Sequence, residues 1–220
     1  MASGEMSDTE FQVFLAQAMA HASSVSGDGS LHFWFIDWRH LPALLKAGDH
    51  NYDEWKQLLV WNKINGGQGS FYRSQHELIA IFKKGSSPHI NNFGLGSSGR
   101  FRTNVLDYPG MAAAAASNWK ERDLHPTVKP AGLLADLLRD CSSHGGLILD
   151  PFSGSGSTIL AAERTGRLAR AIEIDPLYVD VAVTRWEQTT QKKAVLAGTT
   201  RTFAQISKER LGSTRNCAKR

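Results

Sequence analysis

The pattern of apolar and polar residues along the 220-residue chain predicts alternating helices and strands. Apolar residues recur at helical spacing over 7–23, behind a capping box formed by Ser7 and Glu10, and predict a first helix. Residues 31–36, LHFWFI, are bulky and apolar on both faces, which is typical of a strand buried within a sheet. A second helix is predicted over 41–47.

Two further apolar runs, 58–61 and 76–82, predict the strands of a long antiparallel hairpin. The segment between them is rich in glycine and carries Tyr72 and Arg73, so we expect a flexible tip. Residues 86–119 show no regular pattern, and a loop of this length is usually functional or disordered.

The second half of the chain predicts a strand–turn–helix–strand unit. A strand over 147–149, which we expect to be buried, ends on Asp150 and is followed by a glycine-rich turn and a helix over 159–164. A strand over 168–174 comes next, with Glu173 at its carboxyl end. A glycine turn with an acid about 20 residues further on is typical of nucleoside-binding units. The glycines let the backbone approach the ligand, and the acid can accept hydrogen bonds from both ribose hydroxyls. Two helices are predicted to flank the unit: one with Pro130 in its first turn and Leu133, Leu134, Leu137, Leu138 and Cys141 on one face, and one over 177–188.

Two classes of nucleotide site do not fit this turn. A phosphate-binding P-loop has a lysine after its last glycine, and no lysine follows Gly156. A dinucleotide fingerprint has a third glycine at the position of Ile159. The turn alone leaves open a cofactor loop or a tight turn of another α/β protein.

Composition and charge narrow the class of protein. With 41% hydrophobic residues the chain can bury one core, and it has no apolar run long enough for a membrane span and no export signal. We therefore expect a cytoplasmic location, free thiols at Cys141 and Cys217, and no metal site, because the histidines lack ligand spacing.

Residues 201–220 carry six basic residues and one acid, and the rest of the chain has a net charge of −1. This basic tail suits either a nucleic-acid contact or a frayed, solvated terminus.

Three stretches together resemble one family. They are HPTVKP at 125–130, DPFSGSGST at 150–158 and EIDPLY at 173–178. In this order they resemble the β-class S-adenosylmethionine-dependent DNA methyltransferases, which methylate the exocyclic nitrogen of adenine or cytosine. WNK at 61–63 and RSQHE at 73–77 resemble middle motifs of the same enzymes.

The resemblance covers residues 6–195 and implies an α/β fold. We expect a Rossmann-like methyltransferase sheet with helices on both faces and an antiparallel hairpin. The implied organisation is a methyltransferase domain over 1–195, with a DNA-recognition insert at 84–122, and a basic tail over 196–220.

The resemblance also implies a cofactor site for S-adenosylmethionine. Thr127 and Lys129 are implied to hold its methionine carboxylate, which a hydroxyl and an ammonium suit chemically. Glu173 is implied to bind the ribose, and Asp175 to orient the adenine, although Asp175 also suits a plain helix N-cap. The residues implied to bind the cofactor are Thr127, Lys129, Asp150, Phe152, Gly154, Ser155, Gly156, Ser157, Thr158, Glu173 and Asp175.

The implied partner is double-stranded DNA, which would associate the protein with the nucleoid. Enzymes of this family flip their target base, so an aromatic residue near the pocket is expected. Basic side chains would contact phosphates or bases, with ordinary solvated residues as the alternative. The candidate DNA-binding residues are Lys63, Tyr72, Arg73, Arg100 and Arg102.

One motif of the family is missing from the sequence. The family carries an Asp/Asn/Ser-Pro-Pro-Tyr/Phe tetrapeptide that holds the target amino group, and the 220 residues contain no such tetrapeptide. We therefore assign no catalytic residue, and we expect the central catalytic strand to be absent and Met1 to be internal to a longer protein or a start assigned too late. We also expect cofactor binding to be weak or absent and turnover to be impaired. The leading hypothesis is a DNA methyltransferase, with adenine favoured over cytosine and its restriction or regulatory role open. The alternative is a non-catalytic protein that binds DNA or S-adenosylmethionine. An oxidoreductase is disfavoured because HPTVKP has no role in one.

Overall fold

A computed structural model of the protein describes residues 6–67, 71–93, 102–110 and 128–217, and helices alternate with strands throughout these ranges. The elements in chain order are α1 (Asp8–Ser24), β1 (Leu31–Ile36), α2 (Leu41–Asp49), β2 (Glu54–Asn62), β3 (His76–Lys83), β4 (Val105–Asp107), α3 (Ala131–Cys141), β5 (Leu147–Asp150), α4 (Ser157–Thr165), β6 (Leu168–Ala171), α5 (Pro176–Thr190) and α6 (Phe203–Cys217). The predicted α/β class is confirmed.

The larger sheet has four strands in the order β1-β3-β2-β4. β2 and β3 form the predicted antiparallel hairpin, and β3 is also antiparallel to β1. β4 pairs in parallel with β2. The carboxyl ends of β1, β2 and β4 therefore meet at one edge of the sheet, together with the amino end of β3. In α/β proteins this edge is where ligands bind.

Helices cover both faces of the larger sheet. On one face α1 and α2 bury Leu15, Met19 and Leu44 against Ala80 and Phe82 of β3. On the other face α3 packs its own leucines against the neighbouring strands, and the buried members of that cluster are Leu59, Trp61, Ile79, Ile81, Leu106, Leu133 and Leu137. Each fully buried leucine contributes about 2 kcal/mol to folding through removal of apolar area from water.

The capping box predicted for α1 is present. The Ser7 hydroxyl accepts from the Glu10 N–H at 3.3 Å, and the Glu10 carboxylate accepts from the Ser7 N–H at 2.8 Å. These bonds satisfy backbone donors that have no partner within the helix.

A smaller sheet consists of β5 and β6, paired in parallel with Leu147 opposite Leu168. The strand predicted over 147–149 is present, but the prediction that it is buried is wrong, since Leu147 is 66% exposed and Leu149 is 39% exposed. Side chains alternate across a strand, so these two leucines share one face, and within the described residues that face is uncovered.

The strand predicted over 168–174 is also shorter than expected. It ends at Ala171, so Glu173 lies two residues beyond its end rather than within it.

The two sheets are joined through aromatic contacts rather than strand pairing. In the described part of the chain β1 pairs only with β3, and β5 only with β6. Phe152, which follows β5, has its ring centroid 6.4 Å from that of Trp34 on β1 and 5.7 Å from that of Phe14 on α1. The expected central strand would lie between these two strand edges, and it stays a prediction.

Two elements were missed by the sequence reasoning. β4 lies within the segment expected to be a loop, and it places Leu106 in the core beside β2. A bridge between Val195 and Thr202 leads into α6, which was not predicted and which makes residues 203–217 of the basic tail helical. No described helix has the length and hydropathy needed to cross a membrane.

Candidate cofactor-binding site

The loop after β5 is anchored at both ends by hydrogen bonds. Asp150 accepts the N–H of Phe152 with its carboxylate at 3.0 Å, which closes a tight turn directly after the strand. The N–H of Ser153 donates to the carbonyl of Ile172 at 3.0 Å, so the loop is also tied to the segment that follows β6. Both bonds fix the loop at the carboxyl ends of the parallel strands β5 and β6.

Gly154 and Gly156 both adopt positive φ angles, of 50° and 79°. A side chain is disfavoured at either position for this reason. A Cβ at Gly156 would lie 2.7 Å from the Cβ of Ala182, so this glycine permits α5 to pack closely. A Cβ at Gly154 would have no heavy atom within 4 Å, so the backbone at Gly154 borders open space. Gly154 therefore marks the side of the loop that a ligand can approach.

Glu173 lies beside this open side. Its Oε2 accepts the N–H of Gly154 at 2.7 Å, and its Oε1 accepts the N–H of Asp175 at 3.0 Å. Each carboxylate oxygen has a second lone pair, so two further donors can be accepted. The carboxylate is thus held rigidly with capacity for the two hydroxyls of a ribose.

Asp175 caps α5. Its side chain accepts the N–H of Leu177 at 2.9 Å, and Pro176 occupies the first turn. The N-cap interpretation is confirmed, while an additional contact of Asp175 to adenine stays a prediction.

Two serines of the loop, Ser155 and Ser157, are buried. Ser155 is buried, and Arg185 of α5 donates to its carbonyl at 2.6 Å and to its hydroxyl at 2.8 Å. Ser157 and Thr158 begin α4, and the Ser157 hydroxyl is buried without a hydrogen-bond partner. Ligand contacts in this loop are therefore left mainly to the backbone.

Arg185 was not identified as a site residue from the sequence. Its position three residues after the buried Ala182, on the inward face of α5, is the signal that marks it.

A second group of charged side chains surrounds Glu77 at the amino end of β3. Glu77 forms ion pairs with Lys63 at 2.8 Å and with Lys129 at 2.9 Å. Burial raises the pKa of the Glu77 carboxyl, but the two ammonium groups outweigh burial and hold the pKa below its ordinary value. Lys129 also lies 5.5 Å from the centroid of the Phe35 ring on β1. Thr127, the other residue implied to bind the carboxylate, lies outside the described residues.

The candidate DNA-binding residues do not form one cluster. Lys63 belongs to the group around Glu77, and Arg100 lies outside the described residues. Tyr72 is 85% exposed and makes an edge contact with Phe71 beside the hairpin tip. Arg73 donates to the carbonyls of Gly66 and Gly67 at 2.7 Å each, which joins the two described sides of the segment between β2 and β3.

Arg102 has a structural role in addition to any DNA contact. It forms ion pairs with Asp136 at 3.0 Å and with Asp140 at 3.2 Å, and both acids belong to α3. The Tyr108 hydroxyl also donates to Asp136, so the segment around β4 is attached to α3. A contact of Arg102 with DNA stays a prediction.

The remaining titratable groups give no further site in the described part of the chain. No group of three or more potential ligands for a metal lies together there. Cys141 is a free cysteine, as predicted, and burial raises the pKa of its thiol to about 12. At neutral pH the thiolate is therefore scarce, and the side chain is unreactive.

Comparison with known proteins agrees with the motifs. The profile of the N6/N4 DNA methylase family matches residues 2–184. The type II methyltransferase M.ScaI of Streptomyces caespitosus is 39% identical over 93 residues, which are 42% of this chain and 31% of that protein. The type II methyltransferase M2.DpnII of Streptococcus pneumoniae is 41% identical over 135 residues, which are 59% of this chain and 50% of that protein. The chain thus spans half or less of the length of these relatives.

The fold has a counterpart among solved structures. The crystal structure of M1.HpyAVI in complex with S-adenosylmethionine matches with a TM-score of 0.68 at 20% identity, covering 82% of this chain and 85% of that one. At this identity the match establishes the shared fold, a Rossmann-like methyltransferase sheet.

Proposed function

Because this chain belongs to the DNA methylase family, we propose that it binds S-adenosylmethionine and serves methyl transfer to an exocyclic amino group in double-stranded DNA. The observation that carries the proposal is the carboxylate of Glu173, fixed by the Gly154 N–H beside the open side of the glycine loop. A rigid acceptor next to an exposed backbone turn is the arrangement that a ribose requires.

The chemistry of the site residues fits this cofactor. S-adenosylmethionine presents a ribose diol, a carboxylate and a sulfonium-bound methyl group, and it supplies that methyl group to the acceptor. Glu173 would accept from the diol, and the Lys129 ammonium would pair with the carboxylate. Asp150 and the backbone of the loop would line the space between them. Phe152, whose ring is held against Trp34 and Phe14, would close one wall.

Transfer of the methyl group also needs residues that hold the acceptor amino group in line with the methyl carbon. In this family a polar-Pro-Pro-aromatic tetrapeptide at the end of a strand has this role, and the 220 residues contain no such tetrapeptide. Within the described residues, β1 and β5 each leave one edge unpaired, and Leu147 and Leu149 are exposed beside them. We propose that turnover requires a further strand between β1 and β5, supplied by additional polypeptide.

The DNA-facing part of the proposal rests on the hairpin tip and on basic residues. Tyr72 is exposed there and presents an aromatic face on which an extruded base can stack. Arg73 lies beside the tip, and Arg100 and Arg102 would contact phosphates from the insert over 84–122. The basic tail over 196–220 would add a salt-sensitive attraction to DNA.

The test combines cofactor binding with methyl incorporation. The purified 220-residue chain should bind S-adenosylhomocysteine in equilibrium dialysis, and should incorporate no tritiated methyl into plasmid DNA. The chain extended by the codons that precede Met1 should incorporate methyl groups if those codons encode the missing tetrapeptide. Nucleoside analysis of the product then separates N6-methyladenine, which we expect, from N4-methylcytosine.

Each result bears on a different part of the proposal. Failure of the chain to bind the cofactor product would refute the cofactor site. A clear incorporation rate from the 220 residues alone would refute the requirement for a further strand. The alternative, a protein that binds DNA or S-adenosylmethionine without turnover, gains support if an extended chain that contains the tetrapeptide binds both and transfers nothing.

A further inference from the structure

Two lysines share one carboxylate at the edge of the larger sheet. Lys63 follows β2, Glu77 lies at the start of β3, and Lys129 precedes α3, so three separate parts of the chain meet here. Both ammonium groups bind the same side chain, one to each oxygen of Glu77. Glu77 is only 15% exposed, and the two lysine side chains are about a third exposed or less.

The charges of this cluster do not cancel. Two ammonium groups and one carboxylate leave a net charge of +1, and within the described residues no other acidic side chain forms an ion pair with Lys63 or Lys129. A half-buried site with one surplus positive charge attracts a small anion more strongly than an exposed lysine does, because solvent screening is weaker. Each lysine also lies against an aromatic ring, Lys63 at 4.8 Å from Trp61 and Lys129 at 5.5 Å from Phe35.

The surplus positive charge of this cluster depends on Lys63. Glu77 alone would neutralise Lys129 and leave the pair without net charge. When Lys63 is present, both lysines share the single negative charge of Glu77. One positive charge therefore stays available to attract an anionic ligand.

We propose that Lys63 and Glu77, together with Lys129, form the site for the carboxylate of the cofactor's methionine moiety, with Lys63 supplying the surplus positive charge and Glu77 acting as the shared partner of the two ammonium groups. This inference rests on the proposed binding of S-adenosylmethionine. It gives Lys63 a role in cofactor binding in place of the DNA contact predicted from the sequence.

The experiment compares two ligands that differ in the carboxylate. S-adenosylhomocysteine carries the amino-acid moiety, whereas 5′-methylthioadenosine keeps the adenosine and thioether but lacks that moiety. Dissociation constants for both are measured by equilibrium dialysis at low salt for the full chain and for K63M. We expect K63M to weaken S-adenosylhomocysteine binding about tenfold and to leave methylthioadenosine binding within about twofold, since only the first ligand presents a carboxylate.

A double variant distinguishes an electrostatic role of Lys63 from a purely structural one. K63M/E77Q removes one charge of each sign and leaves Lys129 alone with a net charge of +1, so it should recover most of the lost affinity for S-adenosylhomocysteine. A purely structural role of Lys63 predicts no recovery, because the second substitution removes another ion pair. K56M is the matched control, since Lys56 lies near the opposite end of β2, the strand that Lys63 follows, and pairs with Glu54.

The outcomes are distinct. Equal weakening of both ligands by K63M, or no weakening of either, overturns the inference while the proposed function stands. Failure of the double variant to recover affinity also overturns it. If the unaltered chain binds neither ligand, the proposed cofactor site itself fails, and the inference fails with it.

Discussion

The N–H of Gly154 donates to the carboxylate of Glu173 across 2.7 Å, joining the loop after β5 to the segment after β6. The two residues are 19 positions apart in sequence, and the parallel pairing of β5 with β6 brings them together. The same carboxylate receives the N–H of Asp175, so its orientation is set before any ligand arrives. Preorganisation of this kind lowers the entropic cost of binding.

Replacing Glu173 with glutamine should weaken cofactor binding more than it weakens the fold. Glutamine can accept one of the two backbone N–H bonds, but its amide nitrogen cannot accept from a ribose hydroxyl. We expect E173Q to raise the dissociation constant for S-adenosylhomocysteine about tenfold or more. The free energy of unfolding should change by about 1 kcal/mol.

The control for this substitution is E163Q. Glu163 lies on α4 and forms an ion pair with Lys192 at 2.6 Å, so it takes no part in the candidate cofactor site. If E173Q and E163Q reduce affinity equally, the special role of Glu173 in ribose binding is wrong. Both measurements are made by equilibrium dialysis, with urea unfolding to record stability.

Alanine substitutions at Gly154 and Gly156 should have different consequences. Both positions have positive φ, so each substitution carries a backbone cost of about 1 kcal/mol. At Gly156 the new methyl group would also collide with Ala182 of α5, whereas at Gly154 it would enter open space. We therefore expect G156A to be the less stable variant in urea unfolding, and G154A to fold and to lose cofactor affinity. Equal stability of the two variants would contradict the close packing of α5 on the loop.

Local sequence signals predicted most of the fold. The strand at 31–36 agrees with β1 residue for residue, because a run of large apolar side chains between turns has few alternatives. The cap of α1 and the N-cap at Asp175 were also predictable from the sequence, since both depend on residues a few positions apart. β4 was missed because it has three residues and one buried side chain, and its pairing with β2 is non-local.

The candidate cofactor-binding site could be predicted only in part, because some of its contacts are also non-local in sequence. The glycine loop and Glu173 form a motif with a fixed spacing, so both were identified from the sequence, whereas the hydrogen bond between them was not predicted. The ion pairs of Glu77 with Lys63 and Lys129 join three distant segments, and no spacing rule predicts them. The contact of Arg185 with Ser155 likewise depends on how α5 packs against the loop.

The exposed Leu147 of β5 and the buried Leu160 of α4 permit a matched comparison of leucine-to-alanine substitutions. Leu147 is 66% exposed, whereas Leu160 on α4 is 2% exposed. L160A should lower the free energy of unfolding of the 220-residue chain by about 2–4 kcal/mol, because it leaves a cavity in the core. L147A should lower it by less than about 1 kcal/mol. A large loss from L147A, measured by urea unfolding, would show that its face is covered in solution.

His32 makes the stability of the protein depend on pH. It lies on β1 with its Nδ1 2.9 Å from the Tyr52 hydroxyl, which in turn accepts from the Trp34 indole N–H at 3.1 Å. Burial, with a smaller contribution from Lys84, lowers the pKa of His32 from 6.5 to about 4. The imidazole is therefore neutral in the folded protein at mildly acidic pH, while the unfolded chain takes up a proton near pH 6.5.

Because the unfolded state binds this proton first, the stability that depends on neutral His32 is present above pH 6.5 and is lost as the pH falls toward 4. The loss should reach about 2 kcal/mol at pH 5. Urea unfolding of the unaltered chain and of H32Q at intervals from about pH 7.5 to 5 measures it, and H32Q should show a correspondingly smaller decline. H21Q, at an exposed histidine of α1, is the control and should retain the decline of the unaltered chain. An identical decline in H32Q would assign the pH dependence to other groups.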